Sequence, residues 1–153
     1  MAFLIDKYLP EYTFNEVHKT LANASIKDCF VAAKHLDMSK SFITKTLIRL
    51  RGLPIHDLTL QGFITNICFT YLDEEPYKEF VIDASQHNIK IIWNFYFDKV
   101  SENKTFVSTE TRILCLTKKS KPRFSIYWFF IKPFSGLIRI EMLRLIKKKA
   151  ENK

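Results

Sequence analysis

The sequence predicts an α+β fold, a curved antiparallel sheet closed by one long C-terminal helix. Strand-like segments follow one another through short, turn-like connections, which favours antiparallel hairpins. A long amphipathic segment, 121–149, comes after them with few interruptions. The 153 residues, 47% of them apolar, suit one domain over 1–153 with a substantial core.

The first six residues lack a basic leader and a long apolar core ending in a small-residue cleavage site, so no secretory signal is expected. Residues 12–24 alternate Tyr12, Phe14, Glu16 and His18 with Thr13, Asn15, Val17 and Lys19, which suits a first strand. Ser25 can cap a helix over 26–36, where Phe30, Val31 and Lys34 recur at helical intervals. Ser39 or Ser41 starts a second helix, with Ile43, Leu47 and Leu50 as its stripe and Gly52-Leu53-Pro54 as its stop. Strands are expected at 60–71, 77–84, 89–98 and 105–116. Asp73-Glu74-Glu75-Pro76 reads as a solvated turn, and Gln86-His87-Asn88 and 101–104 as the next two connections.

In the strand 89–98, Ile91, Trp93, Phe95 and Phe97 share one face while Ile92, Asn94 and Tyr96 share the other. Apolar side chains on both faces mean that both are covered, or that one lines a pocket and the other meets a partner chain. The C-terminal segment carries Phe124, Tyr127, Trp128, Ile131, Ser135, Ile138, Met142, Leu145 and Ile146 on one stripe, with Arg123, Lys132, Arg139 and Lys149 placed mostly elsewhere. Pro133 and Gly136 predict a bend near 129–136 in a helix of about thirty residues, roughly 45 Å long. A bent helix on a curved sheet leaves a gap, the physical basis for expecting a cavity. Fourteen Phe, six Tyr and two Trp against three Gly fit a large core or an apolar internal surface.

The net charge of +8 is unevenly spread. From Thr117 onward eleven Lys or Arg stand against two acids, a net +9, so the rest of the chain is near neutral at −1. Lys147, Lys148 and Lys149 fall where cations favour a helix C-terminus, and a charged outer face keeps a helix solvated. Cys29, Cys68 and Cys115 are odd in number and widely spaced, as buried free thiols of a reduced compartment would be, and the cytoplasm is the expected location. The apolar run 124–138 contains Lys132 and Pro133 and is too short to span a membrane, so no transmembrane segment is expected. Three glycines supply no phosphate-cradling loop, and His18, His35, His56 and His87 lie far apart, so neither cofactor nor metal is called for. Glu110 and Arg112 stand two apart on one strand face, where they can pair. They form either a structural ion pair or, if that face looks inward, the polar contact for a ligand or a proton-transfer group.

Several motifs occur in a recognisable order: Leu50-Arg51-Gly52-Leu53-Pro54, Trp93-Asn94-Phe95, Ser108-Thr109-Glu110-Thr111-Arg112, Tyr127-Trp128, Phe134-Ser135-Gly136-Leu137-Ile138-Arg139, Leu143-Arg144 and Ala150-Glu151. With them the chain resembles, over nearly its whole length, a bacterial family of the START-like (SRPBCC, pollen-allergen-like) superfamily. The resemblance implies the helix-grip fold, with two short helices after the first strand and a hydrophobic cavity under the long helix. It brings no catalytic residue set. The segment 81–90 is shorter than in relatives that carry a further hairpin there, which predicts fewer strands and a more open rim.

The leading expectation is a small-molecule binding protein with an apolar, lipid-like or polycyclic ligand between sheet and helix. Its wall would draw on Phe63, Trp93, Phe95, Phe97, Tyr127, Trp128 and Ile131, and its polar contact on Asn94, Glu110 or Arg112. A cyclase- or hydrolase-type enzyme using Glu110, a His or a Tyr is the second reading, which the resemblance permits. A basic helix on an anionic membrane is the third, with nucleic acid the less favoured partner. A homodimer is left open.

Overall fold

The computed structural model describes residues 2–50, 59, 62 and 69–152. Among the described residues nine elements follow in order: α1 (Leu4–Tyr8), β1 (Phe14–Ala22), α2 (Ile26–Lys34), α3 (Phe42–Leu50), β2 (Thr70–Glu75), β3 (Glu79–Asp83), β4 (Ile89–Ser101), β5 (Lys104–Cys115) and α4 (Ser120–Glu151). The five strands form one antiparallel sheet in the order β1-β5-β4-β3-β2. A strand, two short helices, hairpin-linked strands and a long final helix are the expected α+β architecture. Asn94 faces Glu110 and Trp93 faces Thr111 across the β4–β5 ladder, so period-two alternation sends Trp93 and Thr111 to one side and Asn94 and Glu110 to the other.

The inner face is covered by α2 and α4. Ser25 accepts a hydrogen bond from the Asp28 amide and opens α2. Phe30 from that helix meets Phe97 at 5.3 Å and Phe80 at 5.8 Å between ring centroids. Phe95 joins the same cluster, and Phe80, Phe95 and Phe97 are almost wholly buried. Ser41 caps α3 through the Thr44 amide and donates to the buried Glu141 carboxylate, tying α3 to α4. The 32 residues of α4 are helical throughout, about 48 Å at 1.5 Å per residue. Pro133 removes the donor for the Phe129 carbonyl, but both residues lie on the solvent side, where water can serve it. Met142, Leu143 and Ile146 seat the second half of α4 in the core, each contributing ~1.5–3 kcal/mol by burial.

The outer face is covered by α1, a helix the sequence reading does not contain. Ile5 and Leu9 pack there on Val81 and Ile92. Beneath them the fully buried Glu79 carboxylate accepts from the Leu4 amide at 2.6 Å, the Ile5 amide at 3.0 Å and Asn94 Nδ2 at 2.7 Å. Two of those donors are the otherwise unpaired amides of a helix N-terminus, so the charge sits where the helix dipole favours it.

Two expectations are corrected. Asp73-Glu74-Glu75 is the end of β2 and not a solvated turn, because each acid has a partner: Asp73 with Lys7 and Tyr8, Glu74 with Lys34 and Tyr71, Glu75 with Lys78. The turn falls at 76–78, where Tyr77 takes a left-handed φ of 61° and rests its ring 5.4 Å from Phe30. Of the expected strand 60–71, only Gly62, Phe69, Thr70 and Tyr71 are described. Gly62 is helical, its amide bound by Thr59 Oγ1, and β2 opens at Thr70. The stop Gly52-Leu53-Pro54, together with Phe63 and Cys68, lies outside the described residues.

Replacing Glu79 by Ala strands three buried donors, and we expect a stability loss of about 3 kcal/mol in denaturant melts. Amide exchange over residues 4–9 should accelerate far more than exchange in β4, because α1 loses its anchor first.

Candidate functional site

A cavity of about 500 Å³ lies between the sheet and the first half of α4. Its floor is Ile89, Ile91 and Trp93 of β4 with Thr111 and Ile113 of β5. Its roof is the α4 stripe of Phe124, Tyr127, Trp128, Ile131, Ser135 and Ile138, continued by Arg139 and Met142. Spacings of three and four residues put this set on one helix face. Ile48 from α3 and Phe69, Ala84 and Gln86 at the sheet edge complete the wall. The volume is in the range of small-molecule sites.

The cavity occupies one end of the inner face because the other end is filled. Around Phe95 and Phe97 the α2 side chains pack the space, whereas around Ile91 and Trp93 the roof comes mainly from α4. Trp93 Nε1 donates to Thr109 Oγ1 at 2.6 Å, which satisfies the indole nitrogen and turns the ring toward α4. Above that ring, 4.0 Å from its centroid, lies the guanidinium of Arg139. Desolvation pushes Arg139 down to about 10 and the charge of Glu16 pulls it part of the way back, so it remains a cation at neutral pH. It is enclosed by protein atoms yet keeps some accessible surface, which is the surface it presents to the cavity.

On the other flank of α4, a groove is lined by Glu16 and His18 of β1 and by Lys132 and Gly136 of the helix. His18 Nε2 and Glu16 Oε1 are 2.6 Å apart, and Glu16 Oε2 is buried without a hydrogen-bond partner. Gly136 makes this possible, since a Cβ there would stand 2.8 Å from Glu16 Oε1. The small residue lets α4 settle onto the polar middle of β1.

Solved structures match the chain over nine-tenths of its length. The di-domain ARO/CYC StfQ from the steffimycin biosynthetic pathway is 11% identical with a TM-score of 0.55, the match covering 90% of this chain and 50% of that one. The protein XoxI from Bacillus cereus is 8% identical with a TM-score of 0.54, covering 90% of this chain and 96% of that one. Truncated norcoclaurine synthase from Thalictrum flavum is 11% identical with a TM-score of 0.52, covering 90% and 94%. The chain has the START-like, helix-grip fold. Identities this low show the fold alone, and the chain spans half the length of StfQ. No protein-family model and no curated protein matches the sequence.

Within this START-like fold the nine expected site residues that are described divide, Phe63 lying outside the described residues. Trp93, Tyr127, Trp128 and Ile131 come together on the cavity wall. Phe95 and Phe97 share the inner face but are sealed in the aromatic core with Phe30 and Phe80, away from the cavity. Asn94, Glu110 and Arg112 are on the outer face, which corrects their placement. Asn94 bonds Glu79 and the Glu110 amide. Arg112 pairs with Glu110 at 2.8 Å and with Asp6 at 2.6 Å, bonds the Leu9 carbonyl and lies against the Tyr12 ring. The Arg112 guanidinium holds the Asp6 carboxyl below its usual range. This is the structural version of the Glu110–Arg112 pair, and α1 is the reason, because it makes that face a covered one.

Arg139 is the functional candidate that sequence reasoning missed. It stands four residues after Ser135 and three before Met142, on the cavity stripe, and only its charge argued for an outward position. Among the described residues, those lining the cavity include no carboxylate, imidazole or thiol. No group of three or more potential metal ligands is assembled among the described residues either.

Replacing Gly136 by Val drives a branched side chain into Glu16 and should cost about 1–3 kcal/mol. A Glu16→Ala change in the same chain should recover part of that loss in thermal melts, whereas simple additivity of the two changes would refute the close contact.

Proposed function

We propose that this protein is a small-molecule binding protein, acting as a single domain over 1–153, which holds an apolar ligand in the cavity between β4, β5 and α4. The observation that carries this reading is the chemistry of the wall. It is aliphatic and aromatic, with a few convergent polar groups and no carboxylate or imidazole among its described residues. Trp93, Tyr127, Trp128 and Ile131 are the contacts proposed for the ligand body. An enzyme reading, suggested by the names of StfQ and norcoclaurine synthase, would need proton-transfer groups at the cavity, where Tyr127 is the candidate among the described lining residues. The acid–imidazole pair Glu16–His18 opens instead to the groove on the other flank of α4. Free Cys29 and Cys115 fit a reducing compartment, and the cytoplasm is the location proposed.

Native mass spectrometry of the purified chain, followed by denaturing extraction, should reveal an apolar compound near one-to-one stoichiometry. Ile131→Trp, which fills the cavity from its roof, should weaken binding of that compound by about tenfold or more with little change in melting temperature. Full binding by the filled variant would refute the site.

A second reading has its own observation. The solvent side of α4 exposes Ile126, Phe129, Phe130, Phe134, Leu137 and Ile140, with Phe129 at 76% and Phe130 at 65% exposure. Six Lys or Arg and no acid occur between Thr117 and Ile140, and Arg144, Lys147 and Lys148 follow. An apolar helix face bounded by cations suits the interface of an anionic bilayer. No helix among the described residues is long and apolar enough to cross a membrane. Co-sedimentation with phosphatidylserine vesicles, weak on phosphatidylcholine alone, should fall by about tenfold in Phe129→Ser/Phe130→Ser. Equal sedimentation of the double variant would exclude this face.

A further inference from the structure

Among the described residues the charge pairing leaves one half-buried arginine, Arg139, unmatched. Arg112 is neutralised by Asp6 and Glu110, and Arg144 pairs with Glu141. Arg139 has no such partner: among the described residues no carboxylate reaches ion-pair distance, and its hydrogen bond is from Nη1 to Met142 Sδ at 3.9 Å. A thioether is a weak acceptor, and a guanidinium carries five N–H donors in a planar fork. Glu16 acts on Arg139 through its charge but engages His18 with one oxygen and leaves the other unpaired. A desolvated cation without a counter-ion is unfavourable, and an anion that enters with a ligand removes that cost. The guanidinium is also held in place, its central carbon 4.0 Å from the Trp93 ring centroid, and its N–H groups lie in the plane of the fork.

We infer that the cavity takes an apolar molecule with a carboxylate or comparable anionic head, the head on Arg139 and the body along Ile91, Ile113, Ile131 and Ile138. This rests on the cavity being the ligand site and adds the class of ligand. Two hydroxyls fall beside the same point. Ser135 is one helical turn before Arg139 on the same face, and Thr111 is paired with Trp93 across the β4–β5 ladder, and both line the cavity. The head thus meets a cation and two neutral donors, and Ile91, Ile113, Ile131 and Ile138 offer the body apolar surface, with Arg123 and Gln86 as further polar groups of the wall. An aliphatic acid and an aromatic acid share this chemistry, and the test separates them.

The purified full chain, stripped of bound compounds, is titrated with two pairs of probes: dodecanoate against dodecanol, and naphthoate against naphthol. Displacement of the neutral fluorophore phenylnaphthylamine reads binding. In at least one pair the acid should bind about tenfold or more tighter than the alcohol, and the better pair identifies the body as aliphatic or aromatic. Arg139→Met should abolish most of that preference, changing the alcohol by less than about threefold. Independently of any variant, the Arg139 side-chain N–H resonance of the native protein should move on addition of the preferred acid and not of its alcohol. If acid and alcohol bind equally, if the preference survives Arg139→Met, or if the resonance stays still, the anionic head is overturned while the cavity reading stands. If no probe binds, both are overturned.

Discussion

Apolar side chains on both faces of β4 constrain everything else in this molecule, because neither face can be left to water. Trp93, Phe95 and Phe97 require cover on one side, and Ile92 with Val81 requires it on the other. The chain meets the first demand with α2 and α4 and the second with the five residues of α1. So short a helix has little stability of its own. It holds because Glu79 receives its amide donors and Arg112 binds its Asp6 and the Leu9 carbonyl, so that two buried charges beneath it are each matched. Polar groups between two apolar layers are tolerable only when satisfied, and on the outer face they also fix where α1 sits.

The inner face is filled unevenly, and the cavity is the result. Over Phe95 and Phe97 the aromatic side chains of α2 and β3 close the space. Over Ile91 and Trp93 the roof is a helix stripe that includes Ser135, whose small side chain does not reach across the gap. At Gly136 the same helix comes down onto β1 closely enough that a methyl group would strike Glu16. Close approach at one flank and small or charged residues along the stripe keep the middle open, so the cavity and the helix seating are two consequences of one run, 135–139.

The basic excess of the last third likewise resolves into parts with different physics. Lys149 donates to the His35 carbonyl and Lys147 lies near Glu151, so the terminal cluster is engaged locally at the helix end. Lys118, Lys119 and Lys121 border the exposed apolar face in solvent. Arg139 lies over the Trp93 ring within the cavity, and Arg123 reaches the cavity wall from the exposed start of α4. Cations alike in a composition count differ in consequence because 100° of rotation per residue separates a solvated position from a desolvated one.

The order and type of most elements, the antiparallel sheet, the long helix and its cavity-facing stripe were legible in the sequence, since each rests on local periodicity and turn chemistry. The pairing of Glu110 with Arg112 was legible too, being a matter of two residues on one strand face. The side on which that pair lies was not, because alternation separates two faces without saying which is inner, and the element that decides it is α1, over a hundred residues away in the chain. The same holds for Phe95 and Phe97, whose neighbours across the core come from α2 and β3, and for Arg139, whose charge masked its place on the stripe. By itself the sequence determined the elements and their sided patterns; the tertiary structure decided which sides meet, and so which residues line the cavity, because contacts between distant segments depend on packing that no local pattern encodes.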